Sequence, residues 1–189
     1  NEVGLYKEPQ LVTKLVSLLD VSYGDACMNA CWALRYIAYH EDQVGLFQEP
    51  DVTGKLVVLL DASYGDLCAH AARTLMRLAW LHANQIPMLG EPELVTKLVT
   101  LLDASYGEMC SSAARAISHL AWQEENEVAL YEESELVTKL VSLLDASHGS
   151  ACKNAALALR NIAWHADNKS RMYQEPELVT RLVSLLDVS

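Results

Sequence analysis

The sequence predicts an all-α chain: a right-handed α–α superhelix, or solenoid, of three-helix repeats about 42 residues long. Three observations carry that expectation. First, the stretch LVTKLVSLLD at residues 11–20 returns as VTGKLVVLLD (52–61), LVTKLVTLLD (94–103), LVTKLVSLLD (136–145) and LVTRLVSLLD (178–187). Second, its closing aspartates Asp20, Asp61, Asp103, Asp145 and Asp187 lie 41, 42, 42 and 42 residues apart. A fixed period in that range marks a helical array whose units bury their apolar faces against neighbours. Third, every period carries the same three segments in the same order. The units are 1–41, 42–83, 84–125, 126–167 and a partial 168–189. Because the chain opens and closes inside a repeat, it reads as an excerpt of a longer array.

Each unit begins with a short segment, NEVGLYKEP in the first (residues 1–9). The Asn or Asp at its head (Asn1, Asp42, Asn84, Asn126, Asn168) suits an N-cap. Pro9, Pro50, Pro92 and Pro176 then stop it, since proline lacks an N–H and disfavours a helical residue before it. Ser134 holds this place in the fourth unit, where a softer corner is expected, and Pro87 is expected to distort the third short helix.

The second segment is apolar nearly all round. Leu11, Leu15 and Leu18 keep the i, i+4, i+7 spacing of a helix despite the β-branched residues between them, and a helix so apolar belongs between neighbours.

The third segment opens with S-x-x-[DE] at residues 22–25, 63–66 and 105–108, the pattern of a capping box; residues 147–150 keep the Ser and lose the acid. Cys27, Ala30, Cys31, Leu34, Ile37 and Ala38 then mark one buried face. A helix of about 18 residues, roughly 27 Å long, is expected.

A short helix, a buried LVxLL helix and a longer helix ending A-L-x-x-I/L-A together resemble the armadillo repeat over the whole chain. Leu15, Val16, Leu18, Leu19, Trp32, Ala33, Leu34, Ile37 and Ala38 carry the likeness in the first unit, and Ala158, Leu159, Asn161, Ile162 and Ala163 in the fourth. HEAT repeats, which usually have two helices, are the nearest alternative. The sequence departs from the armadillo pattern in replacing the usual Gly and Pro between the first two helices by Gln10 and Thr13, with the proline moved to Pro9. It departs also in the peptide-gripping ladder. Nuclear-import armadillo proteins place Trp and Asn four apart on the third helix; here the pairs are Trp32/Tyr36, Arg73/Arg77, Arg115/His119 and Leu157/Asn161. Recognition of basic import signals is therefore not expected.

The resemblance implies that the third helices line a concave groove. Their outer face carries Trp32, Arg35, Tyr36, Arg73, Arg77, Arg115, His119, Lys153, Arg160 and Asn161, and beyond the capping turn it holds no acid. The four third segments sum to +3 and the rest of the chain to −14, within a net charge of −11. Tyr39, Trp80, Trp122 and Trp164 recur at one position, as plugs of the junction with the next unit or as stacking partners for arginine. Histidines in these segments are expected at the surface.

An acidic chain with a pI near 4.9 disfavours nucleic acid and anionic membrane as main partners, and no apolar run approaches the ~20 residues of a membrane span. Cys27, Cys68, Cys110 and Cys152 occupy one position, with Cys31 a turn after the first. Stacked helices sit about 8–10 Å apart, beyond disulfide reach, so buried free thiols and an intracellular, cytoplasmic setting are expected. No metal-ligand spacing, cofactor motif or catalytic set stands out. The leading expectation is a non-enzymatic scaffold holding a partner's extended segment, acidic or phosphorylated, in the groove. A structural array whose near-identical units stack or join a larger assembly through the acidic outer face is the second, with neighbouring repeats of a longer parent chain as further partners. An enzyme on a HEAT-like scaffold is the third.

Overall fold

The structure is a computed structural model that describes residues 9–39, 43–175 and 177–186. Among these lie thirteen α-helices and no strand. The helices are α1 (Pro9–Ser17), α2 (Asp25–Ile37), α3 (Gln43–Gln48), α4 (Val52–Val58), α5 (Asp66–Trp80), α6 (His82–Leu89) and α7 (Leu94–Thr100). They continue as α8 (Glu108–Leu120), α9 (Glu124–Glu132), α10 (Leu136–Ser142), α11 (Ser150–Ile162), α12 (Ala166–Met172) and α13 (Leu178–Leu186). The order short, second, third recurs, and the third helices α2, α5, α8 and α11 pack side by side in that sequence. No helix of the described residues is long and apolar enough to cross a membrane.

The core follows the apolar stripes. Leu56, Leu98 and Leu140 of the second helices are fully buried, as are Cys68, Ala71, Ala72 and Leu75 of α5 and Cys110, Ala113, Ala114 and Ile117 of α8. Cys27, Cys31, Cys68, Cys110 and Cys152 are all free and buried. Small side chains here let neighbouring third helices approach closely, because alanine and cysteine recur along their facing sides. Units are also tied by lysine: Lys55 Nζ donates to the Val16 carbonyl at 3.1 Å and Lys139 Nζ to that of Val99 at 3.2 Å.

The local starts differ from the expected capping box. The closing aspartate of the second segment is the cap instead: Asp20, Asp61, Asp103 and Asp145 accept from the amides of Ser22, Ser63, Ser105 and Ser147 at 2.8–2.9 Å. A 3₁₀ turn follows, then a glycine at φ 51–54° (Gly24, Gly65, Gly107, Gly149) from which the third helix starts. Glycine is needed there because a Cβ resists positive φ. The turn takes up the first residues of each segment, so the third helices run 13–15 residues rather than about 18.

The corners after the short helices are built by a non-glycine residue in the left-handed region: Asp51 at φ 60°, Glu93 and Glu135 at 61°. The corner at Ser134 matches the two that contain proline, so it is not distinguished by lacking one. α6 runs through Pro87 as a single helix.

The recurrent asparagines are not N-caps. Asn84, Asn126 and Asn168 lie in the first turn of α6, α9 and α12, buried, while Leu81, Gln123 and His165 hold the cap positions. Each asparagine reaches back six residues and donates to a carbonyl at the end of the preceding third helix, Leu78, Leu120 and Ile162, at 2.9–3.0 Å. These are carbonyls that a helix end leaves without intrahelical partners. Asn126 and Asn168 donate as well to the carbonyls of Gln85 and Glu127 in the preceding unit, at 3.1 and 2.9 Å. Asn1 and Asp42 lie outside the described residues.

Gln85, next to Asn84, donates to the Ala79 carbonyl at 3.0 Å. Glu127 stands in the same place one unit later, is buried, and leaves Oε2 without a partner. Burial raises its pKa above the ordinary carboxylate value, offset by His165. A raised folded-state pKa means the native state holds its proton more tightly, so stability is fully present below the unfolded pKa and is lost as pH rises through the folded one. Glu127→Gln should therefore raise stability at pH 7 by about 1 kcal/mol and give little gain at pH 4, which thermal unfolding at both pH values checks.

Candidate functional site

The third helices bring most of the expected residues to one groove of about 990 Å³. Arg35 and Tyr36 of α2, Arg73 and Arg77 of α5, Arg115 of α8 and Lys153 of α11 line it, with Tyr39 at the end of α2. The i, i+4 and i+7 spacing along a helix puts such residues on one side, and the close stacking of α2, α5, α8 and α11 brings the sides together. The far wall comes from the turns before α8 and α11, through Ala104, Gly107 and residues 147–149.

Three of the groove arginines are held by neighbours. Arg73 is ion-paired with Glu108 of the next unit, its side chain 23% exposed. The Arg77 guanidinium lies 4.2 Å from the Tyr39 ring centroid, and that of Arg35 lies 5.1 Å from the Tyr36 ring. These contacts fix where the cations point while leaving their charge in place. Glu108 is the carboxylate among the lining residues, against Arg35, Arg73, Arg77, Arg115 and Lys153. It sits in the first turn of α8, where the helix dipole favours an acid, and the sequence pattern alone did not show it reaching across to Arg73.

Four expected residues do not line the groove. Trp32 is 44% exposed and packs on Tyr36 at 5.5 Å and His70 at 6.4 Å. Arg160 turns along its own helix and donates to Asn161 Oδ1 at 2.9 Å. His119 and Asn161 are buried, contrary to the surface position expected of the histidines in the case of His119.

The reason lies in the stacking. His119 Nδ1 is 3.2 Å from the Met76 carbonyl, and Asn161 Nδ2 donates to the Ser118 carbonyl at 2.8 Å. Met76 and Ser118 are equivalent residues one unit apart, so His119 and Asn161 make the same bond at successive interfaces. Two turns earlier, Asn154 Nδ2 donates to the Ser111 carbonyl at 2.9 Å. The position that carries the ladder asparagine in nuclear-import armadillo proteins thus latches unit to unit here.

The cysteines offer no thiolate. Burial pushes the Cys31 thiol up to about 12 and those of Cys68 and Cys110 to about 11. Among the described residues no group of three or more His, Cys, Asp or Glu could hold a metal ion.

Burial lowers the His119 pKa to about 4, while its bond to the Met76 carbonyl works the other way. The unfolded imidazole titrates near 6.5. Below that value the unfolded state binds the extra proton, so the native state loses stability as pH falls from about 6.5 toward 4, by on the order of 2–3 kcal/mol. His119→Asn, which can make the Asn161-type bond, should flatten that part of the stability profile in denaturant titrations from pH 7 to 4.5. His119→Ala should cost about 1–2 kcal/mol at pH 7 because the Met76 carbonyl stays buried without its donor.

No protein-family model matches the chain, and no curated protein matches it. Among solved structures it is similar to a designed armadillo repeat protein, at TM-score 0.82 and 28% identity, over 93% of this chain and 74% of that one. That likeness, with the short, second and third helices repeating in order, decides between the two repeat types: the chain has an armadillo-type repeat fold, an α-solenoid.

Proposed function

We propose that the chain is a non-enzymatic protein-binding scaffold that holds an extended acidic segment of a partner in the groove between Arg35 and Lys153. One observation carries this reading: five cations from four successive third helices line a single groove in a chain of net charge −11. Arginine's planar fork suits carboxylate and phosphate bidentately, so an Asp/Glu-rich or phosphorylated segment has the matching chemistry. The acidic remainder of the surface repels such a ligand elsewhere, which concentrates binding at the groove. The buried, high-pKa cysteines speak against nucleophilic chemistry at the recurrent positions.

The second reading, a structural array within a larger assembly, draws on α13. Val179, Leu182 and Val183 are 44–54% exposed there, whereas Leu56, Leu98 and Leu140, at the place of Leu182, are fully buried. A further apolar element would fit that face.

Single exposed ion pairs contribute only about 0.2–1 kcal/mol, so one substitution is a weak test. Arg77→Glu combined with Arg115→Glu should lower affinity for a Glu-rich peptide by about a hundredfold or more and flatten its salt dependence, with the far-UV circular dichroism unchanged. Glu108→Gln should do the reverse, strengthening binding several-fold by releasing Arg73. Titration by fluorescence anisotropy at low and high salt reads both; unchanged binding in the double variant would reject the groove.

A further inference from the structure

The aromatic residues at the ends of the third helices form a second surface beside the cations. Trp80 and Trp122 occupy one position in successive units, and their ring centroids lie 5.5 Å apart with planes tilted by 56°. His119 packs against both, at 5.0 Å from Trp80 and 5.4 Å from Trp122. Although the three rings touch, each indole is 46% exposed, far more than a plug of a repeat junction needs. The imidazole between them is buried and bonded to the Met76 carbonyl, so the pair is held from below by the unit-to-unit latch.

This surface continues the groove. Trp80 lies one turn after Arg77 on α5, and Arg77 and Tyr39, which it covers, both line the groove. Along the stack the order is therefore Tyr39, Arg77, Trp80, Trp122: cation and aromatic on one strip. Exposed indoles held in place bind at low entropic cost, which is why Trp and Arg dominate the energetics of protein interfaces.

We propose that Trp80 and Trp122 are a docking site for a proline of the same acidic segment that the groove cations hold, so the partner is an extended Asp/Glu-rich peptide carrying proline. The proposal rests on the groove reading above and names its ligand further. An extended backbone rises about 3.3 Å per residue and stacked helices sit about 8–10 Å apart, so roughly three ligand residues pass each unit. A carboxylate at Arg77 or Arg115 then leaves a residue two or three places away over the indole pair. Proline suits that place because its φ is already fixed in the extended region and its ring stacks on aromatic faces, as in other aromatic-lined grooves that take proline-rich segments. A polynucleotide could also stack on indoles beside arginine, but the chain's net charge of −11 opposes a dense polyanion.

The test uses three fluorescein-labelled probes on the full chain: a short Glu-rich peptide with one central proline, the same peptide with alanine in its place, and single-stranded oligo-dT. The proline peptide should bind about tenfold more tightly than the alanine peptide and alone should perturb tryptophan emission. In Trp122→Ala, checked for helicity by circular dichroism, that advantage should vanish while affinity for the alanine peptide stays within about twofold. The proline-to-alanine change sits in the ligand, so the comparison stands even where the variant does not fold. Equal affinity for the two peptides, with both still dependent on Arg77 and Arg115, would overturn the docking site and leave the groove reading standing. Failure of both peptides to bind would overturn the two together, and tighter binding of oligo-dT would replace the peptide by a nucleic acid.

Discussion

Close stacking of the third helices through small side chains is the constraint on which the rest depends. Cys31 of α2 meets the Thr74 hydroxyl of α5, and the same two positions one unit on are Ala72 and Ala116, both buried. A larger residue in either place would push the helices apart, because a well-packed interface has no spare volume. The narrow spacing brings arginines of different units to one groove and lets side chains bridge between units. It also allows Trp80, His119 and Trp122, from two units, to touch as one cluster.

The same spacing explains how a groove of like charges is tolerated. Arginines brought together repel one another, and burial and Arg35 both lower the Arg73 pKa. The surroundings answer with Glu108 against Arg73 and with aromatic faces under Arg35 and Arg77. Neither device removes the positive excess; each orients it. Meanwhile the ladder position is given over to holding the stack, through His119 and Asn161. The charged side chains that line the groove and the exposed indoles flank this latch.

The period, the order of three segments and the small-residue stripe were all legible in the sequence, since each depends on spacing along one helix. The gathering of Arg35, Arg73, Arg77 and Arg115 was legible for the same reason. What was not legible depends on contacts between units. His119 looks like a surface residue on a helical wheel, and only the neighbouring Met76 carbonyl makes it a buried latch. Asn84, Asn126 and Asn168 stand where N-caps are expected, yet they serve the end of the previous helix. The serine of S-x-x-[DE] suggested a capping box, while the true signal was the glycine between it and the acid. Its recurrence as Gly24, Gly65, Gly107 and Gly149 points to a backbone position with positive φ.

If stacking through small residues organises the chain, disturbing one contact should loosen its two helices first. Ala114 of α8 is fully buried and corresponds to Cys31, so it faces the next unit. Hydrogen exchange followed by mass spectrometry on Ala114→Leu measures the consequence helix by helix. Exchange should be faster in α8 and α11, on the scale of the 1–3 kcal/mol or so that overpacking costs, with a smaller change in α5 and none in α2. Unchanged protection in α11, or an equal loss in all four third helices, would contradict it.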